Sequence, residues 1–180
     1  MIGDRICRFI FAIGAVVLLP PGAPGQVAGE YHVKAVFLYN FAKFVTWPSQ
    51  TFKTVTDPMV ICVLGRDDFG ESLTQAVSGN TVEGRPFAVR RIANSRQAGG
   101  CQILFISSSE RNHLAAILGE LPARAVLTVG ETDNFTSQGG IVNLKLEGGR
   151  VRIQINPAAA EEGQLSISAN LLSLAQIVKK

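Results

Sequence analysis

Met59-Val60-Ile61-Cys62-Val63-Leu64-Gly65 is an unbroken apolar run that opens after Pro58 and stops at a glycine. It is too short for a buried helix and rich in β-branched residues, so it reads as a parallel strand covered on both faces. Cys101 to Ile106 has the same character. Each run holds one cysteine, and these are the only two outside the first ten residues. A disulfide needs Cα atoms within about 7 Å, and adjacent strands lie about 4.8 Å apart. If the two cysteines pair, the two runs are therefore neighbours. The alternative, a pair of buried reduced thiols, leaves the strand order open.

Working outward, Arg85 to Ala93 reads as the second strand in chain order, and its Arg90-Arg91 pair suits a sheet edge. Asn94 to Gly100 is a link to the third strand, short for a parallel crossover. Ala125 to Gly130 reads as the fourth. With the cysteines paired the order is 2-1-3-4, a flavodoxin-like, mostly parallel sheet in a three-layer α/β domain. Asp67 or Asp68 is placed to cap a helix running to Val77. Ser107-Ser108-Ser109-Glu110 is placed to cap one with Leu114, Ile117, Leu118 and Leu121, closed by Pro122. Asp133 to Gln138 reads as a short helix stopped by Gly139-Gly140.

Val142 to Glu147 and Arg150 to Ile155 flank Gly148-Gly149, the signal of a two-residue antiparallel hairpin. Its register predicts 142 opposite 155, 144 opposite 153 and 146 opposite 151, all apolar, with Asn143, Lys145, Arg152 and Gln154 on a wet face. Asn156-Pro157 opens a short helix ended by Gly163, Leu165 to Ile167 is extended, and Ser168 caps a terminal helix with Leu171, Leu172, Ala175 and Val178 inward.

Toward the N-terminus, Glu30 to Thr46 has helical period. Val33, Ala35, Phe37, Leu38, Phe41, Ala42, Phe44 and Val45 fill one arc, and His32, Asn40, Lys43 and Thr46 the other. Lys34 falls on the apolar side, where its stem is expected to snorkel to water. Trp47-Pro48 ends the helix. Before it, Arg5 and Arg8 precede an apolar run from Phe9 to Leu19 and then Pro20-Pro21-Gly22-Ala23-Pro24-Gly25. This is the pattern of a secretory signal peptide over residues 1–25, leaving 26–180 as one domain. Its removal leaves a net charge near +2, which recruits no polyanion. In an oxidising compartment Cys62 and Cys101 are expected to be joined.

The 2 histidines, His32 and His113, have no ligand-spaced Cys or carboxylate around them, so no metal site is expected. No nucleophile elbow or phosphate loop occurs, and the serines at 107–109 read as a cap. No cofactor and no nucleic-acid partner is expected. The strand ends at Gly65, Arg66 and Ser107 are where a doubly wound sheet would seat a ligand, although Asp67 and Asp68 there would repel a phosphate.

Lys34-Ala35-Val36-Phe37-Leu38-Tyr39-Asn40-Phe41-Ala42-Lys43-Phe44-Val45-Thr46-Trp47-Pro48, the cysteines at 62 and 101, and Ile167-Ser168-Ala169-Asn170-Leu171-Leu172-Ser173-Leu174-Ala175 together resemble the YfiR family of periplasmic proteins. The likeness covers essentially everything after residue 25, and the spacing of Asn40, Phe41, Lys43, Phe44, Trp47 and Pro48 is its most specific part. Those six positions are read as structural, a helix end and its stop. The resemblance implies a non-catalytic repressor that binds the periplasmic sensor domain of an inner-membrane diguanylate cyclase, lowering cyclic di-GMP synthesis and biofilm formation. It also implies release by an outer-membrane lipoprotein or by reduction of the disulfide, and leaves a homodimer open. A second cysteine pair known in the last third of a family member has no counterpart after Cys101. The competing expectation is a periplasmic small-molecule sensor or carrier using Gly65, Arg66 and Ser107.

Overall fold

The computed structural model describes residues 24–121 and 125–178. Residues 1–23 of the expected signal peptide, and Pro122, lie outside them. The described residues begin with α1 (Pro24–Phe44), β1 (Val45–Thr46), β2 (Met59–Leu64), α2 (Ser72–Val77), β3 (Thr81–Val82) and β4 (Arg85–Ile92). It continues with β5 (Ile103–Ile106), α3 (Leu114–Glu120), β6 (Leu127–Gly130), β7 (Val142–Glu147) and β8 (Arg150–Ile155). It closes with α4 (Pro157–Glu162), β9 (Ser166–Ile167), α5 (Ala169–Ser173) and β10 (Gln176–Ile177).

The main sheet has the order β10-β8-β7-β6-β5-β2-β4-β3. Its central strands β4, β2, β5 and β6 are parallel and reproduce the expected 2-1-3-4 arrangement. Alternate side chains meeting cover on both faces explain why β2 and β5 are apolar throughout. Ile61, Val63, Ile103, Phe105, Leu127 and Val129 meet α1 and α2 on one face. Cys62, Leu64, Leu104 and Ile106 meet Leu114 and Ile117 of α3 on the other. The hairpin has the expected register, Val142↔Ile155, Leu144↔Ile153 and Leu146↔Val151.

Cys62 and Cys101 are joined, with Cα atoms 5.8 Å apart. Cys101 lies just before β5 rather than inside a strand. The segment from β4 to β5 must return from the C-terminal to the N-terminal end of the sheet. It does so with only a 3₁₀ turn at Ser95–Ala98 in place of a full crossover helix. Ala98 and Cys101 are buried against Cys62, so the disulfide pins the foot of this short crossover.

Other expectations are corrected. The first helix stops at Phe44, because Val45 and Thr46 pair with Ile167 and Ser166 as a two-stranded ribbon. Val33 is 42% exposed instead of inward, and Lys34 is 2% exposed instead of snorkelling. Neither Asp67 nor Asp68 caps α2. Asp67 accepts the Phe69 N–H and pairs with Arg91, and Asp68 pairs with Arg66, leaving the helix to start at Ser72. Ser107 caps a 3₁₀ turn, Ser108–Glu110, ahead of α3. The fourth strand begins at Leu127.

Residues 133–139 form turns, not a helix, because Phe135 folds back between two glycines. A Cβ on either Gly130 or Gly140 would lie 2.1 Å from its ring. Ser168 does cap a helix, but that helix ends at Ser173, and the chain then adds β10 beside β8. The hairpin's second face is dry at its start, where Asn143 is fully buried. The expected edge strand β4 is partly covered by β3, at Pro86 and Arg85 only.

Replacing both cysteines (Cys62→Ala with Cys101→Ala) is expected to lower stability by about 2–4 kcal/mol. The shift in guanidinium midpoint between the oxidised parent protein and the variant measures it.

Candidate functional site

Because β2, β5 and β6 are parallel, the residues that follow them gather at one end of the sheet, where α/β folds place their sites. Gly65 and Arg66 follow β2, Ser107 follows β5, and Glu131 follows β6. α1 runs antiparallel to the strands and brings Tyr31 and Lys34 to this same end. The Glu131 carboxylate is the hub. It accepts the Tyr31 hydroxyl at 3.0 and 2.9 Å, the Lys34 ammonium at 2.6 Å and the Ser108 backbone N–H at 2.8 Å.

The side chains of Lys34 and Glu131 are 2% and 3% exposed, and Glu30 pairs with the lysine one turn earlier in α1. Lys34 Nζ also lies 4.6 Å from the centre of the Tyr31 ring. Burial, then the Glu131 charge and hydrogen bond, hold the Tyr31 phenol well above its usual range. A buried ion pair of this kind does little for net stability, but loss of one member leaves a charge stranded.

The expected crevice residues do come together, yet their space is taken. Ser109 Oγ accepts the Arg66 N–H at 2.9 Å. A Cβ at Gly65, whose φ is +88°, would lie 2.5 Å from that oxygen and 2.8 Å from Glu110. Ser107 is 1% exposed, and its hydroxyl accepts the Ser109 N–H. Arg66 reaches outward to Asp68 at 2.8 Å. Nearby, Ser108, Arg111, Glu131, Asp133 and Lys145 wall an open hollow of about 480 Å³. Lys145 is already held by Asp133 and Glu147 at 3.3 and 3.4 Å, contacts that raise its pKa.

The six motif positions lie elsewhere, toward the opposite end of the sheet. Phe41 is core, stacked on Phe37 with ring centroids 6.1 Å apart. The Trp47 indole N–H donates to the Gln102 carbonyl at 3.3 Å, tying the helix exit to the start of β5. Phe44 is half-buried, and its carbonyl accepts the Ser168 N–H at 2.9 Å. Pro48 precedes the Ser49–Thr51 turn, Lys43 lies over the Tyr39 ring, and Asn40 is half-buried. The residue that sequence reasoning missed is Glu131. Lys34 on the apolar arc of α1 was expected to snorkel to water, so nothing in the sequence pointed to Glu131; the burial of the lysine is what calls for a carboxylate partner.

Residues 31–176 match the family described as YfiR/HmsC-like, DUF4154. No curated protein matches the chain. Among solved structures it is similar to a conserved domain protein from Vibrio cholerae (13% identity, TM-score 0.48, covering 68% of this chain and 55% of that one). It is also similar to an ABC domain in complex with L-Trp from Streptococcus pneumoniae (10%, 0.46, 66% and 55%). A third is a phosphoglycerate oxidoreductase from Rhizobium etli (12%, 0.40, 87% and 60%). The chain spans 55–60% of the length of these structures, and likeness at this level carries no argument about activity.

Lys34→Met is expected to cost about 3–5 kcal/mol because it strands the Glu131 carboxylate. Adding Glu131→Gln should cost far less than its single-mutant effect, and a double-mutant cycle by chemical denaturation reads the coupling. A phenol pKa raised on folding means stability is retained in full below the unfolded value near 10 and declines as pH rises above it. Tyr31→Phe is expected to remove that alkaline decline, checked by denaturation midpoints across the range.

Proposed function

The chain belongs to the YfiR/HmsC-like family, whose periplasmic, regulatory role in cyclic di-GMP signalling is the premise from which we propose that it represses an inner-membrane diguanylate cyclase by binding that enzyme's periplasmic sensor domain. The observation that supports binding over catalysis is the state of the strand-end crevice. Its space at Gly65 is filled by Ser109 and Glu110, and its central carboxylate is occupied by Tyr31, Lys34 and the Ser108 N–H. The groups gathered at the strand ends are thus tied to one another, and the hollow beside them is open and shallow rather than a closed reaction pocket.

Repression then rests on differential affinity. A protein that prefers the inactive arrangement of the sensor domain lowers the active fraction without touching the nucleotide. Export by a signal peptide over residues 1–25 places the chain on the right side of the membrane. No helix among the described residues is long and apolar enough to cross one. Reduction of Cys62–Cys101 would free the foot of the β4–β5 crossover, giving a route to release beside that through an outer-membrane lipoprotein. A second reading, a periplasmic sensor of a small ligand, draws on the hollow of about 480 Å³ beside Arg111 and Lys145.

Deleting the gene is expected to raise cellular cyclic di-GMP and biofilm, with both restored by the secreted chain. Unchanged cyclic di-GMP would count against repression. A thermal shift with a periplasmic metabolite, about 2.7 kcal/mol at a hundredfold excess over its dissociation constant, would favour the sensor instead.

A further inference from the structure

The outer edge of β4 supports an inference independent of the cyclase reading. β3 lies against β4 only at Thr81↔Pro86 and Val82↔Arg85. From Phe87 to Ile92 no strand of the described residues covers that edge. Sheets ordinarily shorten, bend or cover such a stretch, because its free N–H and C=O groups template another chain.

Beside it lies a hollow of about 530 Å³, bounded by the C-terminal end of α2 and by the edge itself, with Val77, Pro86, Phe87, Val89 and Arg91 in its wall. Phe87 and Val89 lie on one face two residues apart, half-buried against the core with Phe87 beside the Tyr39 ring, and their outer sides border the hollow at the spacing of alternate side chains on an added strand. The far end of the edge is basic. Arg90 stays exposed while its guanidinium, held over the β4–β5 crossover, donates to the Gln97 and Gly99 carbonyls at 2.7 and 3.1 Å and to Cys101 Sγ at 3.3 Å. It has no carboxylate partner among the described residues. Arg91 pairs with Asp67 while its side chain stays 46% exposed. A second copy of this chain would bring the same arginine pair to the same edge, and like charges across strands oppose that pairing.

We propose that Phe87–Ile92 docks an extended segment of a partner protein, apolar at alternate positions and acidic at its end. The segment adds a strand in line with β3 and sets its carboxylates against Arg90 and Arg91. The backbone supplies affinity, the hollow selects the apolar side chains, and the arginines select the charge.

The test uses isotope-labelled protein purified from the periplasm and two synthetic peptides of alternating valine and threonine, one flanked by glutamates and one by lysines. The glutamate peptide is expected to shift the amide resonances of Phe87–Ile92 and slow their hydrogen exchange. The lysine peptide should bind about tenfold more weakly at low salt, with the gap closing as salt rises. Arg90→Glu, with its circular dichroism and disulfide unchanged, should reverse the preference. Equal binding of both peptides, perturbation confined to other elements, or no binding of either at millimolar concentration would each overturn the proposal. Those three readings use the wild-type protein, so the test stands even where Arg90→Glu misfolds.

Discussion

The parallel pairing of β2 with β5 is the constraint on which the remaining architecture rests. A parallel pair needs a long return connection, and here the chain passes from β4 back to the foot of β5 with only a 3₁₀ turn at Ser95–Ala98. Cys62–Cys101 fixes where that connection lands. Once β5 is placed beside β2, β4 is forced to the other side of β2, and β6 with the hairpin extends the sheet beyond β5. The same bond anchors a segment that has little secondary structure of its own.

α1 is fastened to this sheet at both ends by polar contacts through an otherwise apolar layer. At the strand C-termini Lys34 and Tyr31 converge on Glu131, and at the strand N-termini Trp47 donates to the Gln102 carbonyl. Hydrophobic contact by Ala35, Leu38, Phe41 and Ala42 supplies adhesion but little direction. Hydrogen bonds and a buried ion pair are directional, and they specify the helix position along the strands. Beside Glu131, Ser109 and Glu110 fill the strand-end space at Gly65. Among the surfaces left exposed is the free stretch of β4.

Much of this was legible in the residues. The runs at 59–65 and 101–106 read as strands covered on both faces and hold β2 and β5, and the glycine pair at 148–149 set a register that the hairpin reproduces. Asn156 and Ser168 cap the helices they precede. Less legible were segments whose local preference was overruled. Residues 133–139 have a short helical pattern, but Phe135 gains more by packing between Gly130 and Gly140. Val45 and Thr46 continue the helical period of α1, yet they pair with β9.

Lys34 shows the boundary most clearly. Its position on the apolar arc was plain from the period, but the expected outcome was a stem reaching water, not burial. A charge enters an apolar layer only if an opposite charge waits there, and Glu131 is 97 positions away in sequence. Sequence by itself determined what each segment prefers locally, which faces must be buried, and which cysteines were available to pair. Only the tertiary structure decided which distant carboxylate meets the lysine, which crevice is filled and which edge stays open, because these depend on distances between segments that no local pattern encodes.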